Sequence, residues 1–144
     1  MSDLLEIAND LAELPRMSRW LLERASAAGI AGVLLPRLDL CANEATENII
    51  RHAFAPGARH AIAIELSRTQ HGAELLIRDD GRPFNPLDLP EPALPSTLAE
   101  ARLGGLGVHL MRSMASRCQY VREGGYNLLR LEVAPLTGPG TNGR

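Results

Sequence analysis

The chain has 144 residues, enough for one hydrophobic core, and its 45% hydrophobic and 22% charged residues are ordinary for a soluble globular protein. The formal net charge of −2 gives no general reason to expect binding to nucleic acid or to an anionic membrane. No apolar run approaches the roughly 20 residues of a membrane span, and the N-terminus lacks a secretory signal pattern, so we expect a cytoplasmic protein.

Two residue types narrow the possible chemistry. The chain has 15 arginines and no lysine. The absence of lysine excludes a P-loop lysine, the strand lysine of eukaryotic-type kinases and a Schiff-base mechanism. Cys41 and Cys118 lack CxxC spacing, and we expect both to be buried small apolar residues rather than a disulfide or a redox pair.

The first third of the chain predicts a short strand around residues 5–7 and then two helices. Asn9 or Asp10 can cap the first helix, which runs from about 11 to 28. The second helix runs from about 36 to 53, because apolar residues recur there at helical spacing: Leu38, Cys41, Ala42, Ala45 and Ile49.

The remaining two thirds predict two hairpins, separated by a long loop and a helix. Alternating apolar residues indicate a first hairpin within 62–77. Residues 82–103 carry five prolines without clear periodicity, and a loop this long in a compact domain is usually functional or mobile. A helix over about 107–116 leads to a last hairpin within 118–133, which turns at Gly124-Gly125.

This order of elements indicates an α+β sandwich, in which helices cover one face of a mixed, mainly antiparallel sheet. We expect a single domain over residues 1–134. The tail over residues 135–144 is rich in Gly, Pro and Thr, and we expect it to be disordered.

Glu44 and Asn48 lie four residues apart on the second predicted helix and therefore neighbour each other on one side of it. Such a pair is also common on an ordinary solvated helix side. Mg²⁺ takes only one or two ligands from protein, so the amide oxygen of Asn48 would suffice. Glu44 could act as a general base on a water or hydroxyl aimed at a γ-phosphate. His52, a further turn along, fits a packing role rather than a metal ligand.

Asp79 continues the apolar face of Leu75 and Ile77 to the end of its predicted strand. A carboxylate on such a face costs free energy unless a donor satisfies it, and an adenine amino group is one such donor. Gly81 then permits a tight turn and a close approach of the ring. The alternative is an ordinary Asp-Asp-Gly turn. Asp80 points to the other face and is the weaker candidate.

A glycine loop runs into the third predicted helix and consists of Gly104, Gly105, Leu106 and Gly107. Glycines let the backbone approach phosphates closely, and the N-terminus of the following helix favours negative charge. Arg102, just before the loop, could reach a phosphate oxygen, although a solvated arginine is the commoner role. The loop lacks the pattern of a Walker-type phosphate loop.

In their order and spacing, these three segments resemble those of the GHKL ATPases, the superfamily of histidine kinases, type II topoisomerases and Hsp-type chaperones with the Bergerat nucleotide fold. Residues 44–48 are similar to the N box, 79–81 to the G1 box and 105–107 to the G2 box, and residues 82–103 would be the ATP lid. Within the superfamily, the chain resembles most the small bacterial anti-sigma-factor serine kinases of partner-switching systems, over about residues 3–134.

The resemblance implies a serine/threonine protein kinase that binds ATP and Mg²⁺. Asn48 would bind the metal, Glu44 would activate a partner's serine or threonine hydroxyl, and Asp79 would take the adenine amino group. Glycines would shape the pocket: Gly81, Gly105 and Gly107.

The resemblance also implies partners. The substrate would be a STAS-domain anti-anti-sigma protein, and its unphosphorylated form would compete with a sigma factor or another target for this chain. Relatives are often dimers, so a homodimer is a further expectation. Histidine autophosphorylation is not expected, because nothing before residue 3 could supply a helical phospho-acceptor region.

Two other functions stay open from the sequence. One is a nucleotide-gated binding module that holds a regulatory partner without catalysis. The other is an α+β protein with no nucleotide site, which the ordered occurrence of three motifs disfavours. Failure to bind an adenine nucleotide with Mg²⁺ would favour the latter.

Overall fold

A computed structural model describes residues 2–88 and 106–135, apart from the side chains of 106–109. The predicted α+β sandwich is confirmed, with a five-stranded sheet and helices packed on it. The strands are β1 (Ser2–Ala8), β2 (Ala61–Arg68), β3 (Ala73–Asp79), β4 (Arg117–Glu123) and β5 (Tyr126–Val133). The helices are α1 (Leu14–Ala27), α2 (Leu35–His52) and α3 (Leu106–Met114), with short 3-10 turns at Leu11–Glu13, Gly32–Leu34 and Pro86–Asp88.

The sheet has the strand order β1-β2-β3-β5-β4, and all four pairings between these described strands are antiparallel. The sequence predicted a mixed sheet, and that detail is wrong for the strands that the structure describes. β4 runs in the same direction as β3, but β5 lies between them, so no parallel pair forms. This order places Asp79 at the end of β3 directly between Ile62 of β2 and Asn127 of β5.

One hydrophobic core fills the space between the sheet and the helices. Its sheet side is formed by alternate residues of the strands, as expected for a sheet with one buried face: Ile7, Ile62, Ile64, Leu66, Leu75, Ile77, Leu129, Leu131 and Val133. The predicted apolar stripe of α2 is confirmed, because all of its members are buried: Leu38, Cys41, Ala42, Ala45 and Ile49.

The ends of the helices follow local and distant signals. Asp10 caps the first turn before α1, because its side chain accepts a hydrogen bond from the Ala12 amide. α3 ends at Met114 rather than at the predicted residue 116. There the Arg37 guanidinium donates to the Met114 carbonyl at 2.6 and 3.1 Å and to the Ala134 carbonyl at 2.7 Å. A side chain of α2 thus contacts the chain at the residue where α3 ends.

The two cysteines are free thiols, and Cys41 is buried as expected, whereas Cys118 is only partly buried. Burial raises the pKa of Cys41 to about 12 and raises that of Cys118 as well. Both thiols are therefore weak nucleophiles at neutral pH. Across the described parts of the chain, no helix combines the length and the apolar composition needed to cross a membrane.

Candidate functional site

Asp79 is a buried carboxylate at the end of β3, with only 2% of its surface exposed. Its Oδ1 atom accepts hydrogen bonds from the Gly81 amide and from Asn127 Nδ2, each at 2.9 Å. Its Oδ2 atom is buried and has no partner among the described residues. Burial raises the pKa of Asp79, and the two hydrogen bonds oppose that rise. The site thus holds one acceptor that needs a donor, as an exocyclic amino group would supply.

Asn127 of β5 is the residue that orients Asp79, and it was not among the candidates from the sequence. It is 3% exposed. Its Nδ2 donates to Asp79, while its Oδ1 accepts from Tyr120 Oη at 2.5 Å and Arg122 Nη1 at 3.1 Å. The Phe84 amide also donates to Oδ1, at 3.2 Å. Every polar atom of the Asn127 side chain is therefore used by the protein.

A sequence signal for Asn127 was present. It occupies an inward position in the alternation that continues through Leu129, Leu131 and Val133. The same argument that selected Asp79, a polar side chain on an apolar face, applies to it.

Gly81 is required by the protein's own backbone. A Cβ atom at this position would lie 2.9 Å from both Ala53 Cβ and Asp79 Oδ1, and closer still to the Ala53 carbonyl oxygen. The close approach that this glycine permits is therefore that of the turn after β3 to the end of α2. The Arg82 amide donates to the same Ala53 carbonyl at 2.9 Å, which fixes the contact.

The turn after β3 packs against α2 through side chains as well. Arg82 Nε donates to the His52 carbonyl at 2.6 Å, and the rings of His52 and Phe84 lie 5.3 Å apart. His52 has the packing role expected from the sequence. Asp80 points away from Asp79 and pairs with His60, with 2.8 Å between Oδ1 and Nδ1.

Glu44 and Asn48 lie half-buried on α2. Asn48 Nδ2 donates to the Glu44 carbonyl at 2.8 Å, and within the described residues Asn48 Oδ1 and the Glu44 carboxylate accept no hydrogen bond. Burial raises the pKa of Glu44, and the Glu47 carboxylate adds to that rise. Glu47 itself is paired with Arg51 at 3.0 Å, as expected of a solvated helix side. Glu44 differs because its carboxylate has no partner among the residues that the structure describes.

The side-chain oxygens that have no partner among the described residues suit the chemistry expected of Asn48 and Glu44. An amide oxygen such as Asn48 Oδ1 is a suitable ligand for Mg²⁺. Residues 2–88 and 106–135 hold no group of three or more His, Cys, Asp or Glu side chains that could bind a metal ion. A metal at Asn48 would therefore take most of its oxygen ligands from a bound nucleotide and water.

The glycine loop is described only in part. Leu106 and Gly107 begin α3 in the described part of the chain. α3 packs against α2, where Met111 is buried and its carbonyl lies 3.8 Å from Cys41 Sγ. The candidates Arg102, Gly104 and Gly105 lie outside the described residues.

Comparisons with known proteins agree with this architecture. A family model described as the histidine kinase-like ATPase domain matches residues 7–133. The chain is 40% identical, over 94 residues, to the serine/threonine-protein kinase BtrW of Bordetella bronchiseptica. This alignment covers 65% of the chain and 66% of BtrW.

A solved structure is also similar in fold. It is the histidine kinase domain of the EL346 blue-light activated histidine kinase from Erythrobacter litoralis, with a TM-score of 0.51 and 17% sequence identity. The superposition covers 86% of this chain and 60% of that domain, so the chain spans less than two thirds of the neighbour's length.

Proposed function

Because the chain belongs to the histidine kinase-like ATPase domain family, we propose that it is an ATP-dependent serine/threonine protein kinase. The observation that carries this proposal is the half-buried Glu44 carboxylate, which has no partner among the described residues and lies one helical turn from the free amide oxygen of Asn48. The 40% identity to a serine/threonine-protein kinase supports the same conclusion.

In this proposal the nucleotide is bound at its adenine ring and at its phosphates. Asp79 Oδ2 accepts a hydrogen bond from the adenine amino group, which supplies the donor that the buried oxygen lacks. Asn48 Oδ1 would hold a Mg²⁺ ion, and that ion would neutralise phosphate charge. The proposal also gives a role to the glycine loop, with Gly104, Gly105, Leu106 and Gly107, which would bind the phosphates, and to Arg102, which would pair with a phosphate oxygen.

Glu44 acts as the general base. Its carboxylate accepts the proton of a serine or threonine hydroxyl, and the hydroxyl oxygen bonds to the γ-phosphorus while the bond to the β–γ bridging oxygen breaks. The products are a phosphorylated partner, ADP and a protonated Glu44, which returns its proton to solvent. The raised pKa of Glu44 suits a group that must accept a proton and release it.

The protein substrate in this proposal is a STAS-domain anti-anti-sigma protein. Phosphorylation would weaken its binding to this chain, and the chain would then be free to bind a sigma factor or another target. Both partners and the chain would meet in the cytoplasm, and the chain would act as a homodimer.

The test is transfer of labelled phosphate from ATP with Mg²⁺ to a STAS-domain protein encoded nearby. We expect label on the partner with the natural chain and none with Glu44→Ala. A partner that stays unlabelled while ATP is bound would refute the kinase proposal and indicate a non-catalytic, nucleotide-gated binding module.

A further inference from the structure

Arg122 of β4 is joined to Asp79 through Asn127, although it does not touch the atom that faces the ligand. We propose that Arg122 is a positioning residue that sets the selectivity of the site for 6-amino over 6-oxo purine nucleotides, acting through Asn127 and Asp79. This inference rests on the proposed nucleotide function and deepens it.

The first step concerns the orientation of the Asn127 amide. Its carbonyl oxygen accepts from Arg122 Nη1 at 3.1 Å, Tyr120 Oη at 2.5 Å and the Phe84 amide at 3.2 Å. If the amide were turned over, its NH₂ group would meet these three donors and its oxygen would meet the Asp79 carboxylate. The guanidinium and the phenol therefore fix the NH₂ group on the side of Asp79.

The second step concerns the two oxygens of Asp79. Asn127 Nδ2 and the Gly81 amide both donate to Oδ1, which leaves Oδ2 as the free acceptor. An acceptor at this point pairs with the amino group of a 6-amino purine and repels the carbonyl of a 6-oxo purine. Whether Asp79 favours a 6-amino or a 6-oxo purine thus depends on the orientation of the Asn127 amide.

The third step is the second contact of Arg122. The same Nη1 atom donates to the Gly81 carbonyl at 2.7 Å, so one guanidinium holds both Asn127 and the turn whose amide binds Asp79. Its charge also matters: burial raises the pKa of Asp79, and Arg122 is among the groups that oppose that rise. Loss of Arg122 would leave Asp79 less well oriented and more easily protonated. A protonated carboxyl can donate to a 6-oxo group.

The chain offers a matched control on the same strand. Arg117 also lies on β4, but its side chain is 67% exposed and its guanidinium lies 3.9 Å from the Glu132 carboxylate rather than in the Asp79 network. Arg117→Ala removes the same side chain from the same edge strand and leaves the Asp79 network in place.

The experiment measures dissociation constants for ATP and for inosine triphosphate, both with Mg²⁺, by calorimetry. For Arg122→Ala we expect ATP to bind about tenfold more weakly while inosine triphosphate binds at least as tightly as before, so that selectivity falls by about tenfold or more. Arg117→Ala should leave both constants unchanged. Arg122→Lys, which keeps the charge and a donor, should restore part of the selectivity.

A second measurement tests whether Arg122 acts through Asp79. In the Asp79→Asn background, Arg122→Ala should cause no further loss of selectivity, because the acceptor that it orients is already gone. Equal weakening of both nucleotides by Arg122→Ala, or unchanged selectivity, would overturn the inference while leaving the proposed kinase intact. A natural chain that binds neither nucleotide would overturn both.

Discussion

The two candidate carboxylates, Asp79 and Glu44, differ in how the surrounding protein holds them. Asp79 lies at the end of a central strand, and donors on two different segments fix one of its oxygens. Glu44 lies half-buried on a helix, with no hydrogen bond from the described residues to either oxygen. Burial raises the pKa of both. The difference matches the tasks proposed for them: hydrogen bonds orient the group that would recognise the base, and the group that would accept a proton has no partner within residues 2–88 and 106–135.

The segments that carry Asp79 and Glu44 differ in the same way. The Asp79 region is joined by hydrogen bonds to β4, β5 and the end of α2. Glu44 lies on α2, whose position is set by the packing of its apolar stripe, and within the described residues its carboxylate accepts no hydrogen bond. Changes near Asp79 should therefore affect binding and stability together, whereas changes at Glu44 should affect catalysis far more than nucleotide binding.

The largest expected effect is at Glu44. We expect Glu44→Ala to lower the rate of phosphate transfer by about 10²- to 10⁴-fold, the usual contribution of a general base, while ATP binding persists. The measurement is single-turnover transfer together with calorimetry of ATP binding. Glu47→Ala is the control, because Glu47 lies on the same helix and is paired with Arg51. Transfer at the natural rate in Glu44→Ala would contradict its assigned role.

The next effect is at Asp79. Asp79→Asn replaces the free acceptor with an NH₂ group that meets the adenine amino group, so ATP should bind about 10- to 100-fold more weakly. The fold should stay intact, because the amide oxygen can still accept from Gly81 and Asn127. Asp80→Asn serves as the control, since Asp80 faces away toward His60. Circular dichroism and ATP titration check both points, and unchanged affinity in Asp79→Asn would refute the assignment.

A smaller effect concerns the contact between the turn and α2. Gly81→Ala should lower the free energy of unfolding by about 1–3 kcal/mol, because the new methyl group overlaps Ala53 and Asp79. Urea denaturation measures this change. Gly32→Ala is the matched control, because nothing lies within 4 Å of its added methyl group. Equal stability of the two variants would show that the turn can move away from α2.

The smallest expected effect is the dependence of kcat, ATP affinity and stability on pH. Glu44 must be ionised to accept a proton, and its raised pKa means that kcat should fall on acidification at a higher pH than an ordinary glutamate would cause. ATP affinity should fall in the same direction, because the pKa of Asp79 is raised too. The folded state binds these protons more tightly than the unfolded chain, so both groups lower stability as pH rises through their raised pKa values. An acid limb of kcat at the ordinary glutamate pKa would contradict the first expectation.

Much of the fold could be predicted because local patterns encode it. The spacing along α2 and the alternation along β3 each identified the buried face, and the alternation also singled out Asp79 as a polar residue on that face. These signals lie within one element, where periodicity alone decides which side chains face the core.

The parts that could not be predicted depend on which elements become neighbours. The sequence did not indicate that β5 would lie between β3 and β4, and this order brings Asn127 against Asp79 and Arg122. The early end of α3 likewise depends on Arg37, which is 77 residues away from Met114 in the chain. The role of Gly81 depends on the position of Ala53, which no local pattern reveals.

The Asp79 network has a consequence for how this site can change in evolution. Its members come from three adjacent strands: Asp79 from β3, Asn127 from β5, and Tyr120 and Arg122 from β4. A substitution at one position leaves a donor or acceptor on the next strand unsatisfied, so it should survive only with a compensating change there. Among homologues, these positions should therefore vary together, and chains that have lost Asn127 should also carry a different residue at the position of Tyr120.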